Sequence, residues 1–131
     1  MSFYQLLLQI YKKCTAIFYL TAQCVYKLIA INNALLRGEI LSKESLAEMW
    51  NGDPALGYMA LGQWVFEVPL KGCEEPVRIV ERRGEIGAVQ VRNFIMPDKG
   101  ASVAAFSQEK PFDFGEVWMG QGFSFDLLSA A

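Results

Sequence analysis

At 131 residues the chain has the length of one domain, and its 53% hydrophobic and 13% aromatic content belongs to an ordered protein with a core, not to a disordered tail. Its 12 basic and 14 acidic residues leave a net charge of −2, so no overall field draws it to nucleic acid or an anionic membrane. Histidine is absent, which removes Ser-His-Asp and Cys-His nucleophile systems, histidine zinc sites and the commonest general base near neutral pH.

The first stretch, Phe3 to Leu36, is apolar and contains neither glycine nor proline. Phe3, Leu7, Ile10, Cys14, Ile17, Thr21, Cys24, Leu28, Ile31 and Leu35 alternate steps of four and three, the seam of a heptad pattern. Tyr4, Leu8, Tyr11, Phe18, Ala22, Val25, Ile29 and Leu36 widen that seam into a broad apolar face. Unbroken, such a helix spans roughly 50 Å, against a diameter of roughly 36 Å for a compact chain of this size. The expectation is therefore a helix that either breaks or packs its overhang on another chain, with Leu7, Ile10, Cys14, Ile17, Cys24, Leu28 and Ile31 forming a homo-oligomer or partner interface.

A spanning helix over residues 14–31, entered by Lys12 and Lys13, is the weaker alternative, since Lys27 and Gln23 lie inside it. A secretory leader is not expected, because the segment before the lysines is itself apolar and no small-x-small site follows. The cysteines Cys14, Cys24 and Cys73 are odd in number and form no Cys-x-x-Cys, which excludes a secreted disulfide framework and leaves the cytoplasm as the expected compartment. Cys14 and Cys24 lie on the seam as small hydrophobes, and Cys73, in a turn, is expected to be the exposed one.

Arg37-Gly38 ends the helix with a basic last turn and a glycine. Ser42 caps a short second helix that stops at Asn51-Gly52, and Asp53-Pro54 opens a third carrying Leu56, Met59 and Ala60. From Trp64 the period becomes two. Strands are predicted at Trp64 to Leu70, Val77 to Arg82, Ile86 to Met96 and Ala101 to Ser107, with turns at Arg83-Gly84-Glu85 and Pro97-Asp98-Lys99-Gly100. A last strand or hairpin is predicted from Val117 to Leu128, turning at Gly120-Gln121-Gly122. Short connections favour antiparallel pairing.

The fold class is α+β: a single domain with a long helix over 1–37, two short helices within 42–62, and an antiparallel meander of about five strands within 64–128 that lays one face on the long helix. The order of elements loosely resembles pilin-like proteins and the cone-shaped nuclear transport factor 2-like fold. No motif carries either resemblance: the pilin leader and the acidic residue near its helix start are missing, and no family is assigned.

No catalytic residue, metal ligand or cofactor is indicated. The Gly120-Gln121-Gly122 run lacks the final glycine and the setting of a dinucleotide loop. Arg78, Arg82, Arg83 and Arg92 gather on neighbouring predicted strands, interrupted by Glu81 and Glu85; they could hold a phosphate or an acidic partner, and a salt-bridged sheet surface is expected over nucleic-acid recognition. The loop Phe112-Asp113-Phe114 with Trp118 reads as an aromatic contact surface of the kind that anchors interfaces or, equally, as a lid over the sheet. Asp113 and Asp126 sit between aromatic residues that could desolvate them. The expected function is non-enzymatic: an assembly or protein-binding module that docks through its N-terminal helix and presents the sheet and aromatic loop, with Arg78, Arg82, Arg92, Phe112, Asp113, Phe114 and Trp118 as contacts. The alternatives are a small-molecule pocket or small histidine-independent enzyme using Asp126, Asp113 or Glu67 with Tyr58, and a membrane-anchored domain.

Overall fold

The structure, a computed structural model, describes the backbone of residues 16–108 and 112–131 and the side chains of 23–108 and 112–131. Helix α1 covers Ala16–Leu36 and α2 covers Lys43–Met49; strands β1 (Trp64–Val68), β2 (Val77–Ile86), β3 (Val89–Met96) and β4 (Ala101–Ser107) follow, and α3 (Phe123–Ser129) closes the chain. The sheet is an antiparallel meander in the order β1-β2-β3-β4. The expected extension of the long helix before residue 16, with Leu7, Ile10 and Cys14, lies outside the described residues, and so does the start of the 14–31 window. Among the described residues no helix is long and apolar enough to cross a membrane.

The local stop signals act as the sequence indicates. Glycine 38 takes a left-handed φ of 71° and donates its N–H to the Leu35 carbonyl, while Glu39 N–H reaches the Ala34 carbonyl, which together make a Schellman close. The Ser42 hydroxyl accepts from Ser45 N–H at 3.2 Å at the start of α2. Asp53 caps its segment by accepting from Ala55 N–H at 2.9 Å, but the result is only a 3₁₀ turn over Pro54–Leu56. Met59 leaves that turn to bridge Asp53 and Trp64, tying the loop to the head of β1.

Three expectations need correction. The second strand runs through Arg83-Gly84-Glu85 to Ile86, and the reversal is the two-residue loop Gly87-Ala88, with Gly87 at φ 58° in the first, glycine-favouring position of a primed hairpin turn. Nothing forces the chain to turn at Gly84, and there it lies flat against Val91. The predicted fifth strand is instead a 3₁₀ turn over Val117–Met119 followed by α3, so the sheet has four strands. Ser124, Phe125 and Leu128 are the buried positions of α3, a helical spacing that the strand-like alternation of Phe123, Phe125 and Leu127 hides in the sequence.

Thirdly, both faces of the sheet are covered. Phe66, Val68, Val77, Ile79, Phe94, Met96 and Val103 point to one face and are roofed by Val117, Phe125 and Leu128 of the C-terminal segment. Val65, Val80 and Ile95, the alternate residues of the same strands, point to the other and pack under Leu46 and Trp50, with Leu35 and Leu36 of α1 alongside. On that second face α1 lies over β4, where the Ser102 hydroxyl donates to Asn33 Oδ1 at 3.5 Å, and reaches β3 through a buried amide pair, Asn32 and Asn93 exchanging hydrogen bonds at 2.7 and 3.3 Å.

Candidate functional site

An open groove of about 840 Å³ runs along the free edge of β1, lined by Trp50, Tyr58, Trp64, Phe66, Glu67, Arg78 and Trp118 together with Gly52 and Gly57. The chain has three tryptophans, and all three stand on this groove. Trp64 and Phe66 come from the face covered by the C-terminal segment; Val65, Glu67 and Arg78 come from the opposite face, with Glu67 and Arg78 directly paired across β1 and β2. Walls drawn from both faces mean that the groove follows the strand edge itself.

That edge is partly used. Val65 N–H donates to the Tyr58 carbonyl at 2.9 Å, so the odd-numbered residues of β1 direct their main-chain groups outward, and Glu67 is the next of them. Gly52 lies so close to the strand that a Cβ there would come within 2.5 Å of the Val65 carbonyl oxygen. Tyr58 holds a left-handed φ of 63°, the one positive-φ residue other than glycine among the described residues, and is 50% exposed. Such a conformation in a bulky residue costs roughly 1–3 kcal/mol. The hydrogen bonds of Tyr58 N–H to the Asp53 carbonyl and of Asp53 N–H to the Met59 carbonyl hold it there.

Behind the groove lies a charge network. Glu81, 1% exposed, points from β2 into the face covered by the C-terminal segment. Arg83 donates to Glu81 at 3.0 Å and, through both terminal nitrogens, to Glu116 at 3.0 Å, while Arg92 Nε stands 3.7 Å from Glu81 Oε1. The Arg83 guanidinium lies 5.2 Å from the Trp64 ring centre and 4.8 Å from that of Trp118, and Arg92 lies 5.2 Å from that of Phe114. Trp118 also meets Phe66 edge-on at 5.6 Å. Burial pushes the Glu81 carboxyl above its ordinary value, against the pull of Arg83 and Arg92. For Arg83, burial works downward but is outweighed by Glu116 and Glu81, so the guanidinium is held charged more firmly than usual. The network glues the Glu116–Trp118 segment to the sheet and fixes the wall that Trp118 gives the groove.

The residues singled out from sequence are dispersed. Arg78 and Trp118 line the groove. Arg78 also pairs with Asp98 at 3.0 Å. Arg82 and Arg78 project to the α1 face and Arg83 and Arg92 to the other, because neighbours along a strand alternate, so the four arginines form no single patch. Phe114 is 2% exposed and belongs to the interior, with Phe112 and Phe123 stacked edge-on at its rim. Asp113 is exposed and turns back to accept from Gly115 N–H at 2.8 Å, and Asp126 is exposed and paired with Lys71 at 2.6 Å, so neither is desolvated by its aromatic neighbours. On α1, Cys24 and Ile31 face outward and Leu28 is half-buried, while Ile17 belongs to the helix backbone. Cys73 is half-buried against the core, so of these two cysteines Cys24 is the exposed one.

The groove holds Tyr58 and Glu67, which the pocket alternative named together, but sequence reasoning did not join Trp50, Trp64 and Trp118 to them. The rarity of tryptophan in a chain that keeps three was the available signal. Among the described residues no cluster of potential metal ligands occurs. Comparison with protein-family models, with curated proteins and with solved structures finds no match to this chain.

Proposed function

We propose that the protein is a non-enzymatic binding module whose groove along β1 receives an extended peptide segment of a partner protein. The observation that carries this reading is the convergence of all three tryptophans with Tyr58 and Phe66 on a strand edge. Flat aromatic rings give large contact area at small entropic cost, and outward main-chain groups at Glu67 offer one rung of a ladder to an added strand. Side chains of such a segment alternate, one set meeting Trp64, Phe66 and Trp118 and the other meeting Glu67 and Arg78. Arg78 is matched by Asp98, whereas Glu67 is exposed and has no ion-pair partner among the described residues, which favours a segment carrying a basic residue. Tyr58 supports the same reading, since backbone strain of this kind collects at binding sites and here places a half-exposed aromatic at the groove mouth.

The test uses the intrinsic fluorescence of the three groove tryptophans, titrated with alternating valine–threonine hexapeptides carrying a central arginine or a central glutamate. The arginine peptide is expected to bind, and the glutamate peptide to bind at least tenfold more weakly. Tyr58→Gly is expected to weaken binding while raising the unfolding free energy by about 1 kcal/mol through relief of the left-handed strain. Binding of neither peptide at millimolar concentration, or binding unchanged in both Tyr58→Gly and Trp118→Ala, would sink the reading. A small molecule held between Tyr58 and Glu67, the alternative, would bind a groove that neither hexapeptide enters.

A further inference from the structure

The chain has four asparagines, and only Asn51 is followed by glycine. The structure sets Asn51 apart a second time. Asn32 and Asn93 are buried and bind each other's amides at 2.7 and 3.3 Å, and Asn33, inside α1, accepts from the Ser102 hydroxyl. The residues that follow these three, Asn33, Ala34 and Phe94, commit their main-chain N–H groups to α1 or to the ladders on either side of β3. Asn51 instead leaves α2 in irregular backbone and is exposed, and its amide meets no hydrogen-bond partner among the described residues. Among the same residues the Gly52 N–H donates to no carbonyl.

We infer that Asn51 is a self-modifying site, where the chain rearranges at the Asn51–Gly52 bond into aspartate and isoaspartate. The Gly52 nitrogen gives its proton to solvent and attacks Asn51 Cγ, closing a five-membered ring. A carbon–nitrogen bond forms to Cγ, the former side-chain nitrogen takes up a proton, and it leaves as ammonia. Water then opens the succinimide. Breaking the bond from Cγ to nitrogen gives aspartate; breaking the bond from the main-chain carbonyl carbon to nitrogen gives isoaspartate, whose chain runs through Cγ. The sum exchanges one ammonia for one water, with no oxidation or reduction. Gly52 has no Cβ to crowd the ring, and closure swings an exposed side chain toward a nitrogen that no carbonyl holds.

The product acts on the groove, because Asn51 and Gly52 both line it. Isoaspartate puts one more carbon into the main chain between two anchored residues. On one side Trp50 is 7% exposed and packs with Val65, Val80 and Ile95. On the other, the Gly52 backbone lies so close to β1 and its loop that a Cβ would come within 2.5 Å of the Val65 carbonyl oxygen and 2.9 Å of that of Tyr58. The extra carbon is absorbed by moving Gly52 and the loop behind it off β1, which loosens the bond from Val65 N–H to the Tyr58 carbonyl. Aspartate adds a carboxylate but leaves the chain length unchanged. The reaction depends on neither the peptide nor the binding role proposed above.

The experiment holds the native full-length chain at mildly alkaline pH for several weeks and follows its tryptic fragments by mass, with amide hydrogen exchange on the same samples. Fragment 44–71 contains Asn51 as its one asparagine. It is expected to gain about one dalton and to split into aspartate and isoaspartate forms. Its conversion should be at least tenfold faster than that of the fragments holding Asn32 with Asn33, or Asn93. The Val65 amide should lose protection in proportion to the isoaspartate fraction. Asn51→Gln is expected to keep both the mass and the protection, and Asn51→Asp to keep the protection, since it brings the charge without the extra carbon. An unchanged mass of fragment 44–71, or conversion no faster than at the buried asparagines, overturns the inference. So does an isoaspartate chain whose Val65 amide exchanges as slowly as before.

Discussion

Glu81 shows what one buried carboxyl does to the pH response of the whole chain. Its folded value is raised above the ordinary 4.5, chiefly by burial, so the folded state holds the proton more tightly than the unfolded state does. The stability it contributes is present in full below pH 4.5 and is lost as pH rises through the raised value. Glu39, held down by Arg37, and Glu44, held down by a hydrogen bond from its own N–H, act in the opposite sense, and their effect is lost only as pH falls below 4.5. Denaturant midpoints measured between pH 4.5 and 8 should therefore decline with rising pH in the native chain and decline less in Glu81→Gln. An identical slope in the two proteins would show that Glu81 is ionised without penalty. The amide pair gives a second expectation at this scale. Asn32→Ala leaves the Asn93 amide buried and unpartnered, at a cost of about 1–3 kcal/mol. Adding Asn93→Ala should cost less than the sum of the two single changes, and strict additivity in the double-mutant cycle would mean that the bond contributes nothing.

At the scale of elements, the loop 51–60 is held to β1 by a backbone approach that only glycine allows. Gly52→Ala drives a methyl group toward the Val65 and Tyr58 carbonyls and should destabilise by about 2 kcal/mol. Gly57→Ala, five residues on, meets no atom within 4 Å and carries only the strain of φ 65°, about 1 kcal/mol. Chemical denaturation of the two variants should rank them in that order; the reverse order would place the loop farther from the strand. Local signals made several elements legible. The Arg37-Gly38 stop, the Ser42 cap and the Pro97–Gly100 turn each depend on hydrogen bonds or φ values within a few residues, and the strand from Trp64 shows in its two-residue period. The C-terminal element was not legible, because Phe123, Phe125 and Leu127 satisfy a strand period while Phe125 and Leu128 satisfy a helical one. Contact with Phe94 and Ile79 across the chain selected the helix.

For the whole molecule, the C-terminal segment roofs one face and α1 with α2 roof the other, so the sheet sits as the middle of three layers. A chain ending at residue 108 would uncover Phe66, Ile79, Phe94 and Met96 and remove Glu116 from Arg83. It should lose near-ultraviolet circular dichroism and bind a hydrophobic dye; a cooperative transition at the native midpoint would show that the roof is dispensable. The sequence by itself determined the class, α+β with helices first, and the want of histidine chemistry, since composition and short-range periodicity suffice for both. Only the tertiary structure decided that the arginines part to opposite faces, that Phe114 turns inward, and that Trp50, Trp64 and Trp118 share a groove. The physical reason is that a side chain's face follows from its period within a strand, whereas its neighbours follow from register and from which element covers that face, and those are set by contacts many residues away.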